Sequence, residues 1–244
     1  RTGSSAFGTT TFGGAGTWTY QGTNSTSTGN FLIASGTVVS ATGTLTLGNH
    51  FVNRGTFTHS GGALRFISAL ASTTITSSSS DLGSVVIAGS GTFVFTDPTE
   101  ALAGTLTLLS GTTSLPTSTL SIAGSFISQG GAYVHSTGTL LFNSSDVGES
   151  ITPGSGVFNN VSIAAPSGGY TITGDATTTG NFSLTSATSF TLLTGQRLTV
   201  NGTFTNLVGG APTTWTGSTL TLLSGTEYTA NSKASGGDVY NIIA

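Results

Sequence analysis

Gly104-Thr105-Leu106-Thr107-Leu108-Leu109-Ser110-Gly111 is the stretch that decides the fold. Apolar residues alternate with threonine for four positions, and a Ser-Gly pair closes the run. Alternation with a period of two puts one set of side chains on a buried face and the other in water, which is a strand pattern. The glycines supply turn conformations that other residues adopt only with strain. The same phrase recurs as Thr44-Leu45-Thr46-Leu47, Thr56-Phe57-Thr58, Thr203-Phe204-Thr205 and Thr219-Leu220-Thr221-Leu222. No helical stripe of useful length interrupts it, so the expected fold is all-β.

Longer landmarks repeat as well. Gly16-Thr17-Trp18, Gly91-Thr92-Phe93 and Gly168-Gly169-Tyr170 open segments 75 and then 77 residues apart. Gly29-Asn30-Phe31, Gly104-Thr105-Leu106 and Gly180-Asn181-Phe182 follow in order, then Asn49-His50-Phe51, Gly124-Ser125-Phe126 and Gly202-Thr203-Phe204. This divides the chain into super-repeats at 16–90, 91–167 and 168–244, with residues 1–15 completing a repeat at the front. Inside them the step from Leu106 to Phe126 is 20 residues, then 16 to Phe142, 19 to Val161 and 21 to Phe182. Steps near 20 suit the coils of one continuous parallel β-solenoid, or β-helix. The alternative is three tandem small β-sandwiches, which should be joined by Pro-rich or charged linkers. None precedes Gly91 or Gly168.

Composition narrows the function classes. Only 5% of residues are charged, yet 36% are hydrophobic and recur regularly, which opposes disorder. The net charge is −3, and the basic residues Arg1, Arg54, Arg65, Arg197 and Lys233 are scattered, so no nucleic-acid footprint forms. Low charge leaves little mutual repulsion and favours self-association. No apolar run approaches the ~20 residues of a membrane span. Cysteine is absent, which closes thiolate and disulfide chemistry. The chain starts at Arg1 and contains no methionine, as a processed product or a fragment would.

The Gly-Thr-Leu-Thr-Leu and Gly-Asn-Phe steps, with Val157-Phe158-Asn159-Asn160-Val161-Ser162-Ile163, resemble repetitive bacterial surface proteins built as parallel β-helices. Autotransporter passenger domains and filamentous-haemagglutinin-like adhesins are of this kind. The resemblance spans the chain and is one of style. It implies a Gly/Ser/Thr-rich solenoid in an extracellular or cell-surface location.

The two ends match in phase. Ala6-Phe7-Gly8-Thr9-Thr10-Thr11-Phe12 aligns with Asp81-Leu82-Gly83-Ser84-Val85-Val86-Ile87, and Val239-Tyr240-Asn241-Ile242 with Phe158-Asn159-Asn160-Val161. Neither end carries the polar unit that caps monomeric solenoids. Phe7, Phe12, Val239, Tyr240, Ile242 and Ile243 are therefore the expected subunit-joining residues of a head-to-tail homopolymer. A piece trimmed from a longer solenoid would show the same ends.

Candidate chemistry is sparse. The close carboxylate pairs, Asp97/Glu100 and Asp146/Glu149, sit in Pro- or Ser/Gly-rich surroundings expected of solvated turns. His50, His59 and His135 lack the spacing of a metal site, and no Ser/His/Asp arrangement or phosphate loop stands out. Thr-x-Thr steps could form an ice-binding hydroxyl grid, though here they are spread around the coil. Asn24, Asn143, Asn160, Asn181 and Asn201 head N-glycosylation sequons, while Asn30 and Asn181 suit amide ladders between coils. Trp18, Tyr20 and Trp215 fit either packing or sugar stacking.

The expectation is a non-enzymatic extracellular structural protein that needs no cofactor or metal and polymerises end to end into a surface or matrix filament. An adhesin stalk or glycan-binding solenoid is the alternative, with an ice-binding protein or polysaccharide-active enzyme behind it. Partners would be other copies of the chain and glycans, with neither nucleic acid nor a membrane span.

Overall fold

The computed structural model describes residues 6–208, 212–223, 228–230 and 242–243, the last two segments as backbone. The described chain winds through about 11 turns of a parallel β-solenoid without a helix. One turn shows the plan. Ser84–Ile87 lies on a first face, Thr92–Phe95 on a second and Thr99–Leu102 on a third. The next turn repeats it with Leu106–Leu108, Thr112–Ser114 and Thr119–Ile122. Val85 pairs with Leu106, Phe93 with Thr113 and Glu100 with Leu120, so each strand lies directly over its predecessor.

The first face runs from Ala6–Phe7 to Thr213–Thr214, the second from Thr10–Phe12 to Ile242–Ile243, and the third from Thr17–Thr19 to Tyr228–Ala230. In later coils the third and first faces fuse. Asn160–Ile172 and Phe182–Leu192 carry both faces around one corner, with register shifts between Ile163 and Gly169 where the chain bends.

The super-repeat landmarks land on different faces. Thr17–Thr19 is on the third, Thr92–Phe95 on the second and Tyr170 on the first. Phe31, Leu106 and Phe182, like Phe51, Phe126 and Phe204, fall on the second, first and third. Each repeat thus advances by a whole number of strands and stops one face short of a whole number of coils. The reason is that all three faces share one local rule, a short alternating strand followed by a tight corner.

Stacking fills the interior with rows of like side chains. The anchors Phe51, Leu106, Phe126, Phe182 and Phe204 are buried. Phe31 stacks on Phe51 with centroids 5.8 Å apart, and Phe182 on Phe204 at 5.9 Å and 9°. Each such side chain removed from water contributes roughly 1.5–3 kcal/mol. Corners require close backbone approach. At Gly36 (φ 76°) and Gly111 (φ 72°) an added Cβ would strike two carbonyl oxygens of the coil below.

Corner side chains satisfy backbone groups that the ladder leaves over. The Asn24 Oδ1 accepts from the Thr44 amide at 2.8 Å, one coil on. Asn160 Oδ1 accepts from the Asn181 amide at 2.9 Å, and Asn181 Oδ1 from the Thr203 amide at 2.8 Å. Asp175 does the same for Arg197 at 2.7 Å. This is an asparagine ladder of side chain to backbone at Asn181. Asn30 instead contributes its backbone carbonyl, to the Thr10 amide.

Candidate functional site

Besides a short gap on the second face, where Phe158 makes only an isolated bridge to Thr178 between Ala132–Val134 and Ala176–Thr178, two places depart from this regular stack. The first is the mouth formed by the first described coil. Phe12 lies 5.4 Å from Phe31, 5.6 Å from Trp18 and 6.1 Å from Tyr20 between ring centroids. On its inner side the column continues through Phe31 to Phe51, both fully buried. Above it opens a recess of about 430 Å³ lined by Phe7, Phe12, Trp18, Tyr20, Gln21 and neighbouring threonines. Phe7 is 41% exposed. Burial pushes the Tyr20 hydroxyl up to about 12, so the ring stays neutral over the physiological range.

Phe7 and Phe12 therefore share one surface. Val239 and Tyr240 lie outside the described residues. Ile242 and Ile243 continue the second face by pairing with Leu220 and Thr221.

The second place is a break in the third face. Between Thr56–Thr58 and Thr99–Leu102 that face carries no strand, and residues 77–83 cross it as a loop. Ser78 and Ser79 both adopt positive φ, 50° and 65°, a region that non-glycine residues occupy at an energetic cost. Polar contacts hold the loop. Asp97 Oδ2 accepts from the Ser77 amide (2.6 Å), the Ser77 hydroxyl (3.1 Å) and the Ser78 amide (3.0 Å). Asn53 donates to the Ser77 carbonyl at 2.6 Å and to the Ser80 hydroxyl at 3.0 Å. Asp81 accepts from the Gly83 and Ala103 amides, with the His59 Nε2 at 3.9 Å.

Glu100 overturns its reading as a solvated turn residue. It sits on the strand Thr99–Leu102, points inward in phase with Leu102, and is 1% exposed. Its Oε1 accepts from the Ala101 amide at 3.2 Å, and its Oε2 has no hydrogen-bond partner. Desolvation pushes its carboxyl up to about 7. Hydrogen bonds from Ser77 and Ala101 oppose the rise, and the charges of Asp97 and Asp81 add to it. The alternation Thr99-Glu100-Ala101-Leu102, one coil before Leu120, carried this signal in the sequence.

The other expected residues are dispersed. Glu149 is held by the Ser125 hydroxyl while Asp146 is exposed, so that pair is not built as a joint site. His50 Nδ1 accepts from the Thr74 amide at 2.9 Å, and His135 Nδ1 lies 2.8 Å from the Ser136 carbonyl. Among the described residues no group of three His, Asp or Glu side chains could hold a metal ion, and no helix is long and apolar enough to cross a membrane. Outward threonines align in columns, Thr17-Thr37-Thr56 and Thr99-Thr119-Thr139, which the 77–83 loop separates. Trp215 packs in the core at 5.3 Å from Phe190, whereas Trp18 belongs to the mouth.

Of the sequon asparagines, Asn24, Asn143, Asn181 and Asn201 are exposed and Asn160 is half-buried. The Asn24, Asn160 and Asn181 amides serve the corners, whereas those of Asn143 and Asn201 do not. Comparison with protein-family models, curated proteins and solved structures gave no match for this chain.

Proposed function

We propose that this chain is an extracellular structural subunit that polymerises head to tail, the mouth of one solenoid receiving the far end of the next. The observation that carries the reading is the unfinished aromatic column at Phe12. Within the described stack the inward rings beyond the mouth, from Phe31 to Trp215, are buried. At the mouth the rings of Phe7, Phe12 and Trp18 border open space. The strands Ala6–Phe7, Thr10–Phe12 and Thr17–Thr19 each pair with one described neighbour, leaving an edge that another strand could join. Another coil of the same width would satisfy the apolar rings and those edges together. Low net charge removes the repulsion that would oppose such contact, and a heterologous contact of this kind propagates into a fibre.

A second reading follows from the rim. Thr10, Thr17, Thr19 and Gln21 surround the rings, and the volume falls within the usual range for a small-ligand site. Aromatic faces with hydroxyl and amide neighbours suit a glycan, as an adhesin would require. Sedimentation and a glycan-binding screen on the native chain and on Trp18→Asp separate the two. Polymerisation abolished by the substitution, with no glycan retained by the native chain, is expected. A native chain that stays monomeric at high concentration, or a variant that polymerises equally well, overturns the filament reading. Removing residues 1–15 should likewise abolish polymers while the remaining coils keep their fold.

A further inference from the structure

The third-face break has a chemistry that neither polymerisation nor glycan binding uses. Glu100 is the one acidic side chain turned into the core among the described residues. Its Oε1 has only the Ala101 amide at 3.2 Å, and its buried Oε2 has no hydrogen-bond partner. The Ser77 hydroxyl beside it directs its proton to Asp97 at 3.1 Å. An ionised Glu100 would leave a buried charge with an unsatisfied oxygen, a cost that the protonated form largely avoids.

The groups facing Glu100 offer no compensating charge. From the preceding turn comes Asp97, and from the loop below comes Asp81, both acidic. His59 lies against Asp81 at 3.9 Å rather than against Glu100. The strand above contributes Leu120, and Phe95 ends the preceding strand of the same coil. Arg54, next to Asn53, is exposed.

Only one neighbouring segment is built to yield. Strands flanked on both sides are held by full ladders, whereas residues 77–83 are held to the next coil by side chains and by two long backbone bonds at one end, Leu82 amide to Ala101 carbonyl and Gly104 amide to Gly83 carbonyl, both at 3.2 Å. Two positive-φ serines add strain that opening would release. We propose that residues 77–83 form a proton-operated latch, closed over the third face while Glu100 is protonated and opening to hydrate the Glu100 carboxylate when the proton leaves. The desolvation that raises the Glu100 carboxyl to about 7 places the transition close to neutrality. Acid therefore seals the wall and mild alkali loosens it at one defined coil, leaving the coils on either side stacked.

Amide hydrogen exchange on the intact chain tests the latch. Ser77 and Ser78, bonded to Asp97, Phe57, bonded to Ser80, and Leu82 are the reporters. Thr203, at a distant corner, is the control. After correction for intrinsic exchange, protection of the reporters should fall about tenfold between pH 6 and pH 8.5, and Thr203 should not change. Glu100→Gln, close in shape and unable to ionise, should abolish the pH dependence. A carboxyl-carbon NMR titration of the native chain removes any reliance on the variant. Reporter protection that does not change with pH, a Glu100→Gln profile that matches the native one, or a Glu100 carboxyl titrating in the ordinary range near 4.5 would each overturn the proposal.

Discussion

Phe51 and Phe12 occupy the same face of the same solenoid, two coils apart, and live in different worlds. Phe51 has Phe31 beneath one ring face and Phe57 and Phe66 edge-on at 5.4 and 6.4 Å, and no part of it reaches water. Phe12 meets Phe31 on one side and a recess on the other. Nothing in the local sequence distinguishes them, since both are apolar members of alternating strands. In a solenoid, core and interface are one surface, and a coil becomes core when another coil arrives on top. That is why a stacked fold lends itself to polymerisation without a specialised binding motif.

Four substitutions probe the contrast between covered coils and the mouth. Phe51→Ala should be the most damaging, at about 3–5 kcal/mol, because the rigid neighbouring coils cannot collapse into the cavity. Urea unfolding measures it, and a loss below about 1 kcal/mol would mean the interior coils are not tightly packed.

Glu100 asks what a covered coil does to a charge. Its folded-state pKa of about 7 lies above its unfolded value, so the folded chain holds the proton more tightly. Its stabilising contribution is present in full below about 4.5 and is lost as pH rises toward 7, roughly 3 kcal/mol in all. Glu100→Gln should remove that part of the pH dependence, measured as urea unfolding at pH 4 and pH 8. A pH dependence that survives in the variant would assign it to other groups.

Asn181→Ala deletes an acceptor for the Thr203 amide at a corner open to solvent, and should destabilise by about 1 kcal/mol. An effect as large as that of Phe51→Ala would make the corners, rather than the interior, the principal support. Phe7→Asp should change monomer stability least, by about 0.5 kcal/mol or less, because Phe7 is already exposed. It should nevertheless abolish polymers in sedimentation, since it sets a charge against the incoming coil. Polymers that persist would remove Phe7 from the interface.

Much of the architecture was readable from strand alternation and from the spacing near 20 residues. Leu106 to Phe126 and Val161 to Phe182 are true coil steps, each pair directly stacked. Phe126 to Phe142 is not. Phe126 stacks toward Ile151 on the first face and Phe142 toward Ile163 on the third. Because every face obeys the same strand-and-corner rule, sequence periodicity reports strands faithfully and faces poorly. Asn181 was legible as a ladder residue for the same reason, being at a corner flanked by glycine. Glu100 was hidden by Pro98 and Asp97, which look like a solvated turn. The alternation resumes one residue later than that turn suggests, and this phase alone turns the carboxyl inward. The loop at residues 77–83 was equally obscured, since four consecutive serines name a turn without saying which face it interrupts.

Electron microscopy of the native chain at high concentration tests the central claim most directly. The described stretch of about 11 coils, at ~4.8 Å each, spans about 53 Å along the solenoid axis. Head-to-tail stacking of the mouth predicts unbranched filaments with an axial repeat near that length. Dispersed single particles, or assemblies without that repeat, would contradict it.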